Sequence, residues 1–478
     1  MLVRRFFKDS FIYSLGSLLS KGIGLILLPF YTRVLSTTDY GLLDLLGIFA
    51  VLVNLTIALE ISQAVARYFP GAETEFEKIS YASTSLWFTV VVYSLFCLIV
   101  FWGAPFFATL VLDDSLRGDL MRVAAISMWL SGLFYLSQNQ LRWQLKPLLY
   151  AVTNIVFAIT AASSAVLLVF VANLGLLGIL WGQVIGFSCG ISISLYFTRK
   201  LYRLRFDWQK LKQMLRFSLP LVPSGISVFV ALYIDRLAIK ELMTIADVGI
   251  YSVAYRLASI ASLLIMGVQG AVTPLVYNHY LKADTPLQLA RIFRYFLWAA
   301  CILFLGSFLF AEYVLTVFAP PEYAAAASLL PLLLAALVLS NMYIFAPGLS
   351  IAAKTGEIAV INMLTAAVNA LLTFLLIPLL GRLGAALATL LSSSFMFAGF
   401  VLRAQTHYPI PYLWANCFKA ILIVSLVGCG TFILRAFALS LLVELTVKLL
   451  LLVLSSFMLW YILVITNSTK TMTSMTEP

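Results

Sequence analysis

Long apolar runs that follow one another almost from end to end constrain this chain more than any other feature of its sequence. A bilayer's hydrocarbon core is about 30 Å thick and a helix rises about 1.5 Å per residue, so a run of roughly 20 apolar residues can cross it. The runs fall near residues 11–35, 42–68, 80–103, 119–141, 148–172, 174–198, 213–238, 246–275, 292–317, 323–347, 357–379, 381–403, 412–437 and 440–466. Backbone polar groups inside a bilayer must be satisfied within the segment, so each run predicts a helix. The expected fold is all-α: a polytopic membrane protein of about 14 transmembrane helices.

Composition agrees, since 62% of the residues are hydrophobic and 11% charged, against about 45–50% and about 25% in soluble domains. Connections between runs are nearly all shorter than about 15 residues, too short for separate domains. Arg4, Arg5 and Lys8 precede the first run in the manner of a secretory leader, but that run continues to Leu35 without a cleavage-like end and reads as a retained helix.

Several chemistries lack raw material. Cys97, Cys189, Cys301, Cys417 and Cys429 all lie in apolar runs without metal-ligand spacing and read as packing residues. His279 and His407 are the two histidines, and no Walker-type glycine loop is present, so zinc, histidine acid–base catalysis and ATP-driven pumping are not expected. No cofactor is expected.

The formal net charge of +11 is unevenly placed. With a cytoplasmic N-terminus, 19 of the 31 basic residues fall in inside segments and 6 outside, namely Arg33, Arg117, Arg236, Lys240, Arg382 and Arg435. This is positive-inside sorting and places both termini in the cytoplasm. The basic segment 199–216, with Tyr202 and Trp208, accordingly reads as a cytoplasmic linker against lipid headgroups; nucleic acid is not an expected partner.

An internal duplication organises the chain. Asp39-Tyr40-Gly41-Leu42 opens the second run and Asp247-Val248-Gly249-Ile250 the eighth, 208 residues later. Leu174-Gly175-Leu176-Leu177-Gly178 and Leu380-Gly381-Arg382-Leu383-Gly384 open the sixth and twelfth, with Gly178 and Gly384 206 apart. Six spans repeated in the same orientation predict two pseudo-symmetric lobes, residues 1–198 and 213–404, joined by a linker at 199–212 and followed by two further helices and a tail at 405–478. Duplicated halves suit alternating access, each half rocking against the other around a shared site.

Ionisable groups inside a bilayer cost about 2.5–3.5 kcal/mol on insertion scales and so call for a cavity or a partner. Lys21 shares a helical face with Ser10, Ser14, Ser17 and Gly24, which suits either a wet cavity wall or close helix packing. Thr56, Glu60, Gln63 and Arg67 form a polar face on the second span; Arg67 either lines a cavity or snorkels to headgroups. Ser252, Arg256, Ser259, Ser262 and Gln269 share a face of the eighth, with Arg256 either at the cavity or paired to Asp235 or Asp44. Lys21, Arg67 and Arg256 together offer an anion site, arginine being suited to bidentate phosphate contacts. Pro29, Pro220, Pro223 and Pro378 mark kinks, either static or hinging.

Lys21 through Leu28-Pro29-Phe30-Tyr31-Thr32-Arg33-Val34-Leu35-Ser36, then Asp39-Tyr40-Gly41, resembles the opening of polysaccharide biosynthesis flippases of the O-antigen and exopolysaccharide type, in the multidrug/oligosaccharidyl-lipid/polysaccharide exporter superfamily. The segment 377–386, Ile-Pro-Leu-Leu-Gly-Arg-Leu-Gly-Ala-Ala, resembles that family's marker in the second half. The resemblance implies an inner-membrane flippase that carries an undecaprenyl-diphosphate-linked oligosaccharide from the cytoplasmic to the outer leaflet. Membrane lipids, and H+ or Na+ as a coupling ion, are its implied partners. Related lipid II flippases place basic residues on the first, second and eighth helices, so it implies diphosphate binding by Lys21, Arg67 and Arg256, with Ser14, Ser17, Glu60, Gln63, Ser252 and Ser259 lining the cavity or coupling. In those relatives the two extra helices help form a groove for the lipid tail, whereas here Lys419 and Lys448 interrupt them. Two other readings stand beside this one. An ion-coupled multidrug extruder would favour acidic cavity groups, and Glu60 is the one deep carboxylate. A membrane polymerase or ligase would need a large catalytic outer loop, and the longest, 103–118, offers only Asp113, Asp114 and Arg117.

Overall fold

The computed structural model describes residues 22–435 and 440–465, and among them every regular element is helical. Twelve helices are long and apolar enough to cross a membrane, and two shorter apolar helices, Gly22–Val34 and Trp414–Gly428, fall where the first and thirteenth runs were expected. The chain is thus a multi-pass membrane protein. It divides into two compact units, one built from residues up to 236 together with 244–252, the other from 237–243 together with 253 onward.

The first unit contains α1 (Leu28–Val34), α2 (Thr37–Thr56), α3 (Ile61–Tyr68), α4 (Glu75–Trp102), α5 (Ala104–Leu112), α6 (Gly118–Trp143), α7 (Pro147–Phe170), α8 (Gly175–Thr198) and α9 (Trp208–Ser218). It also takes in α10 (Leu221–Leu242) as far as residue 236 and α11 (Ile245–Ala258) as far as residue 252. The starts of α2 and α11 are capped alike. Ser36 accepts a bond from the Asp39 backbone N–H at 3.1 Å and donates to its carboxylate at 2.7 Å. Thr244 and Asp247 repeat that exchange at 3.2 and 2.6 Å. Each pair satisfies a donor that the helix start would otherwise leave orphaned.

Behind these caps the two glycine landmarks meet. A Cβ on Gly41 would lie 2.0 Å from the Ile245 carbonyl oxygen, and one on Gly249 would lie 1.9 Å from that of Thr37. Only hydrogen fits at either position, so α2 and α11 cross backbone to backbone. A second small-residue seam joins α7 and α8, where Gly182 and Gly186 lie against Ala165 and Ala161.

The expected seventh span at 213–238 is corrected at its start. Residues 208–218 form the separate surface helix α9, capped by Asp207, which accepts from the N–H groups of Gln209 and Lys210. Its buried residues are Leu211, Met214 and Ser218, while Lys212 and Arg216 fall between them and Lys210 precedes them, a pattern that suits a surface rather than a hydrocarbon interior. Leu211 and Met214 pack with Ile61, Val65, Phe69, Tyr81 and Leu136. The preceding linker is bonded to α4: Ser83 donates to the Leu201 carbonyl, Trp87 Nε1 to that of Arg203, and the Asp207 N–H to Thr84. Lys210 reaches Glu77 at 3.0 Å.

The second unit holds the remainder of α10 and α11, then α12 (Ile260–His279), α13 (Thr285–Phe318), α14 (Ala326–Asn341), α15 (Gly348–Ile351), α16 (Thr355–Leu380), α17 (Arg382–Gln405), α18 (Trp414–Arg435) and α19 (Leu441–Trp460). The expected eighth span is two helices, since the ladder is interrupted at Ser259 between α11 and α12. Gly381 alone joins α16 to α17 at φ +58° and ψ −135°, a conformation open in practice only to glycine. Cys301, Leu305, Ala420, Ile423, Leu459 and Leu463 form a core that holds α18 and α19 against α13. Lys448, an apparent interruption of the last span, is buried, paired to Glu444 at 2.6 Å and placed 4.8 Å from the Tyr313 ring centre. Cys97, Cys189, Cys301 and Cys417 are free thiols, and no cluster among the described residues could hold a metal.

Candidate functional site

The second span is not the continuous helix its polar face implied. The ladder stops at Thr56 and resumes at Ile61, because Leu59 and Glu60 adopt left-handed backbone at φ 49° and 53°. Such non-glycine residues cost about 1–3 kcal/mol each, strain that concentrates at functional positions. The break turns Glu60 into a cavity of about 240 Å³ whose wall also includes Asn54, Ser62, Thr89, Tyr93 and Tyr135. Tyr93 donates to the Asn54 side-chain oxygen at 2.7 Å, fixing both groups. Gly132 makes room for that ring, since a Cβ there would lie 2.2 Å from it.

Gln63 and Arg67 follow on the exposed face of α3, one turn apart, and Gln63 bonds Glu60. The Arg67 guanidinium lies 5.1 Å from the Phe217 ring centre and 5.9 Å from that of Tyr68. Both distances are within cation–π range, so the two rings attract the guanidinium itself. Within α11, Arg256 is half-buried near the helix end, and the Ser259 hydroxyl donates to its carbonyl at 2.6 Å. Ser252 is buried and donates to Asp44 at 2.7 Å. Lys21, Ser14 and Ser17 lie outside the described residues.

Asp44 and Asp235 have a partner that sequence reasoning counted with the outer segments. Arg236 is only 4% exposed; its Nε lies 3.2 Å from Asp44 and its Nη1 3.7 Å from Asp235. Tyr251 donates to Asp235 at 2.6 Å. Alternation within a helix hid this group, because Asp235-Arg236 at the end of an apolar run resembles an ordinary solvated boundary. Asn54, Tyr93 and Tyr135 were likewise overlooked; the signal available was a lone amide in an apolar run.

The second unit holds an apolar cleft of about 700 Å³ between α13, α14, α17 and α18. Phe293, Phe304, Phe308, Phe397, Trp414 and Phe418 are among its walls.

A helical membrane protein with this course is a recognisable class. The lipid II flippase MurJ in an inward closed conformation is similar with a TM-score of 0.70 at 16% identity, over 94% of this chain and 99% of that one. An inward-facing multidrug resistance MATE family transporter of the MOP superfamily is similar with a TM-score of 0.63 at 16% identity, over 82% and 95%. The fold is therefore one that this chain shares with both of these transporters. In sequence, the Lsg locus protein 1 of Haemophilus influenzae is 26% identical over 278 residues, 57% of this chain and 66% of that protein. The family model for polysaccharide biosynthesis proteins matches residues 6–277, and the chain belongs to that family.

Proposed function

We propose that this protein is a flippase that carries an undecaprenyl-diphosphate-linked oligosaccharide from the cytoplasmic to the outer leaflet of the inner membrane, for cell-surface polysaccharide. Membership of the polysaccharide biosynthesis family carries the reading. The fold, shared with a lipid II flippase, supports transport over polymerase or ligase chemistry. The apolar cleft beside α18 supports a lipid-linked cargo over a small drug, because a prenyl chain has apolar surface to cover there.

In this proposal Lys21, Arg67 and Arg256 engage the diphosphate. Arg67 is exposed, with its guanidinium beside the Phe217 and Tyr68 rings, and arginine's planar fork matches phosphate oxygens. Glu60 and Gln63 offer an acceptor and an amide to sugar hydroxyls or to a coupling H+ or Na+. Ser252 serves the Asp44–Arg236 network rather than the cargo. The membrane potential, worth about 2.3 kcal/mol per charge per 100 mV, is an adequate source of drive.

The test is export in cells depleted of the native protein, which should accumulate a lipid-linked oligosaccharide in the cytoplasmic leaflet. Lys21→Gln, Arg67→Gln and Arg256→Gln at normal abundance should each fail to restore export, and Lys21→Arg should restore part of it. Normal export by all three neutral variants would refute the basic site. Depletion without any such accumulation would refute the flippase.

A further inference from the structure

A further cavity belongs to none of the groups above. It is a groove of about 800 Å³ along α16 and α17, within the range of about 300–1,000 Å³ typical of ligand clefts. Lys354, which immediately precedes α16, and Arg403, in the last turn of α17, stand at one end. Both are exposed. Val360, Leu364 and Leu402 line the remainder and are 55%, 51% and 71% exposed, so the groove opens to the outside of two membrane-spanning helices.

We infer that this groove binds an anionic phospholipid of the surrounding bilayer, with its phosphate between Lys354 and Arg403 and an acyl chain along Val360 and Leu364. The charge and the geometry agree. The ends of two adjacent spans put both cations at headgroup depth, where an anionic lipid is attracted and a zwitterionic one is not selected. From Lys354 to Leu364 the helix descends about 15 Å, the depth of one leaflet's hydrocarbon. Glu357 also lines the groove, but its carboxylate lies 3.8 Å from the His407 ring, and the mouth keeps a net positive charge. The inference does not depend on the cargo, because none of these residues belongs to the proposed transport site.

The experiment is native mass spectrometry of the purified full-length protein, titrated with dioleoyl phosphatidylglycerol or dioleoyl phosphatidylcholine. The wild type should retain one phosphatidylglycerol selectively. At about 1 kcal/mol per basic residue near the surface, Lys354→Gln with Arg403→Gln should weaken that adduct about 30-fold, and each single change about fivefold. Val360→Trp, which fills the groove without altering charge, should weaken it too, while Arg382→Gln at the other end of the hairpin should leave it unchanged. Equal retention of the two lipids by the wild type would overturn the inference, as would a preference that survives the double change or falls equally with Arg382→Gln. A dimer that excludes lipid from the wild type and is lost in Val360→Trp would overturn it in favour of a second copy of the chain.

Discussion

Gly41→Ala asks the duplicated helix crossing for one methyl group it has no room to accept. The added carbon would lie 2.0 Å from the Ile245 carbonyl oxygen and 3.0 Å from the Gly249 nitrogen, where ordinary contact begins near 3.4 Å. Both obstacles are backbone, so no rotamer change relieves them, and α2 must move from α11 by more than 1 Å. Overpacking of this kind costs about 1–3 kcal/mol. The shift also strains the 2.7 Å bond from Ser252 to Asp44, worth about 0.5–1.5 kcal/mol. Against this, alanine is the better helix former by about 0.5–1 kcal/mol. The net expectation is a loss of about 1–3 kcal/mol. Gly47 lies on the same helix with nothing within 4 Å, so Gly47→Ala should be neutral or stabilising. Thermal unfolding of the purified protein in detergent, followed by intrinsic fluorescence, should show Gly41→Ala lower by several degrees and Gly47→Ala not lower. Gly249→Ala should match Gly41→Ala, and the double variant should lose less than the two losses combined, because one displacement relieves both clashes. If Gly41→Ala melts with Gly47→Ala, the backbone crossing is wrong.

Arg236→Met should destabilise the protein by about 3–5 kcal/mol, because it takes the guanidinium from the buried Asp235 as well as from the partly buried Asp44. Asp44→Asn should cost less, since Arg236 keeps Asp235, and an unchanged melting curve for Arg236→Met would contradict the network. Lys448→Met should destabilise, whereas Glu444→Gln with Lys448→Met should be close to neutral because the pair is removed together; equal melting losses would show that Lys448 acts by other contacts. The Asp207 carboxyl lies below its ordinary value of 3.8, first because the Lys210 backbone N–H donates to it, with burial opposing and the Ser80 hydroxyl assisting. Since the folded value is the lower one, the stabilisation it lends to the linker is present above about pH 3.8 and lost as pH falls through the folded value. Hydrogen exchange at residues 201–210 should accelerate at that acid end in the wild type, and Asp207→Asn should remove the pH step; coincident profiles would exclude the mechanism.

Span number and helical class were legible because the bilayer imposes length and apolarity on each segment independently, so single runs carry the signal. Gly41 and Gly249 were legible as paired landmarks, and both lie at one close crossing of α2 and α11. Element ends were less so. The surface helix α9 merged with the seventh run because a boundary between interface and hydrocarbon leaves only a gradual change in polarity. The break at Leu59 and Glu60 has no glycine or proline to announce it, since it arises from backbone held left-handed by its surroundings. Among the candidate site residues, Glu60 and Arg67 stand out in the sequence as charges in apolar company. Their settings do not: Arg67 lies over Phe217, and Asp44 joins Arg236, each pair far apart in sequence and brought together by packing alone. The sequence by itself thus determined which segments enter the membrane and which charges require an account. The tertiary structure decided which of those charges neutralise one another and which are left to face a cavity, because pairing depends on distances that no local pattern encodes.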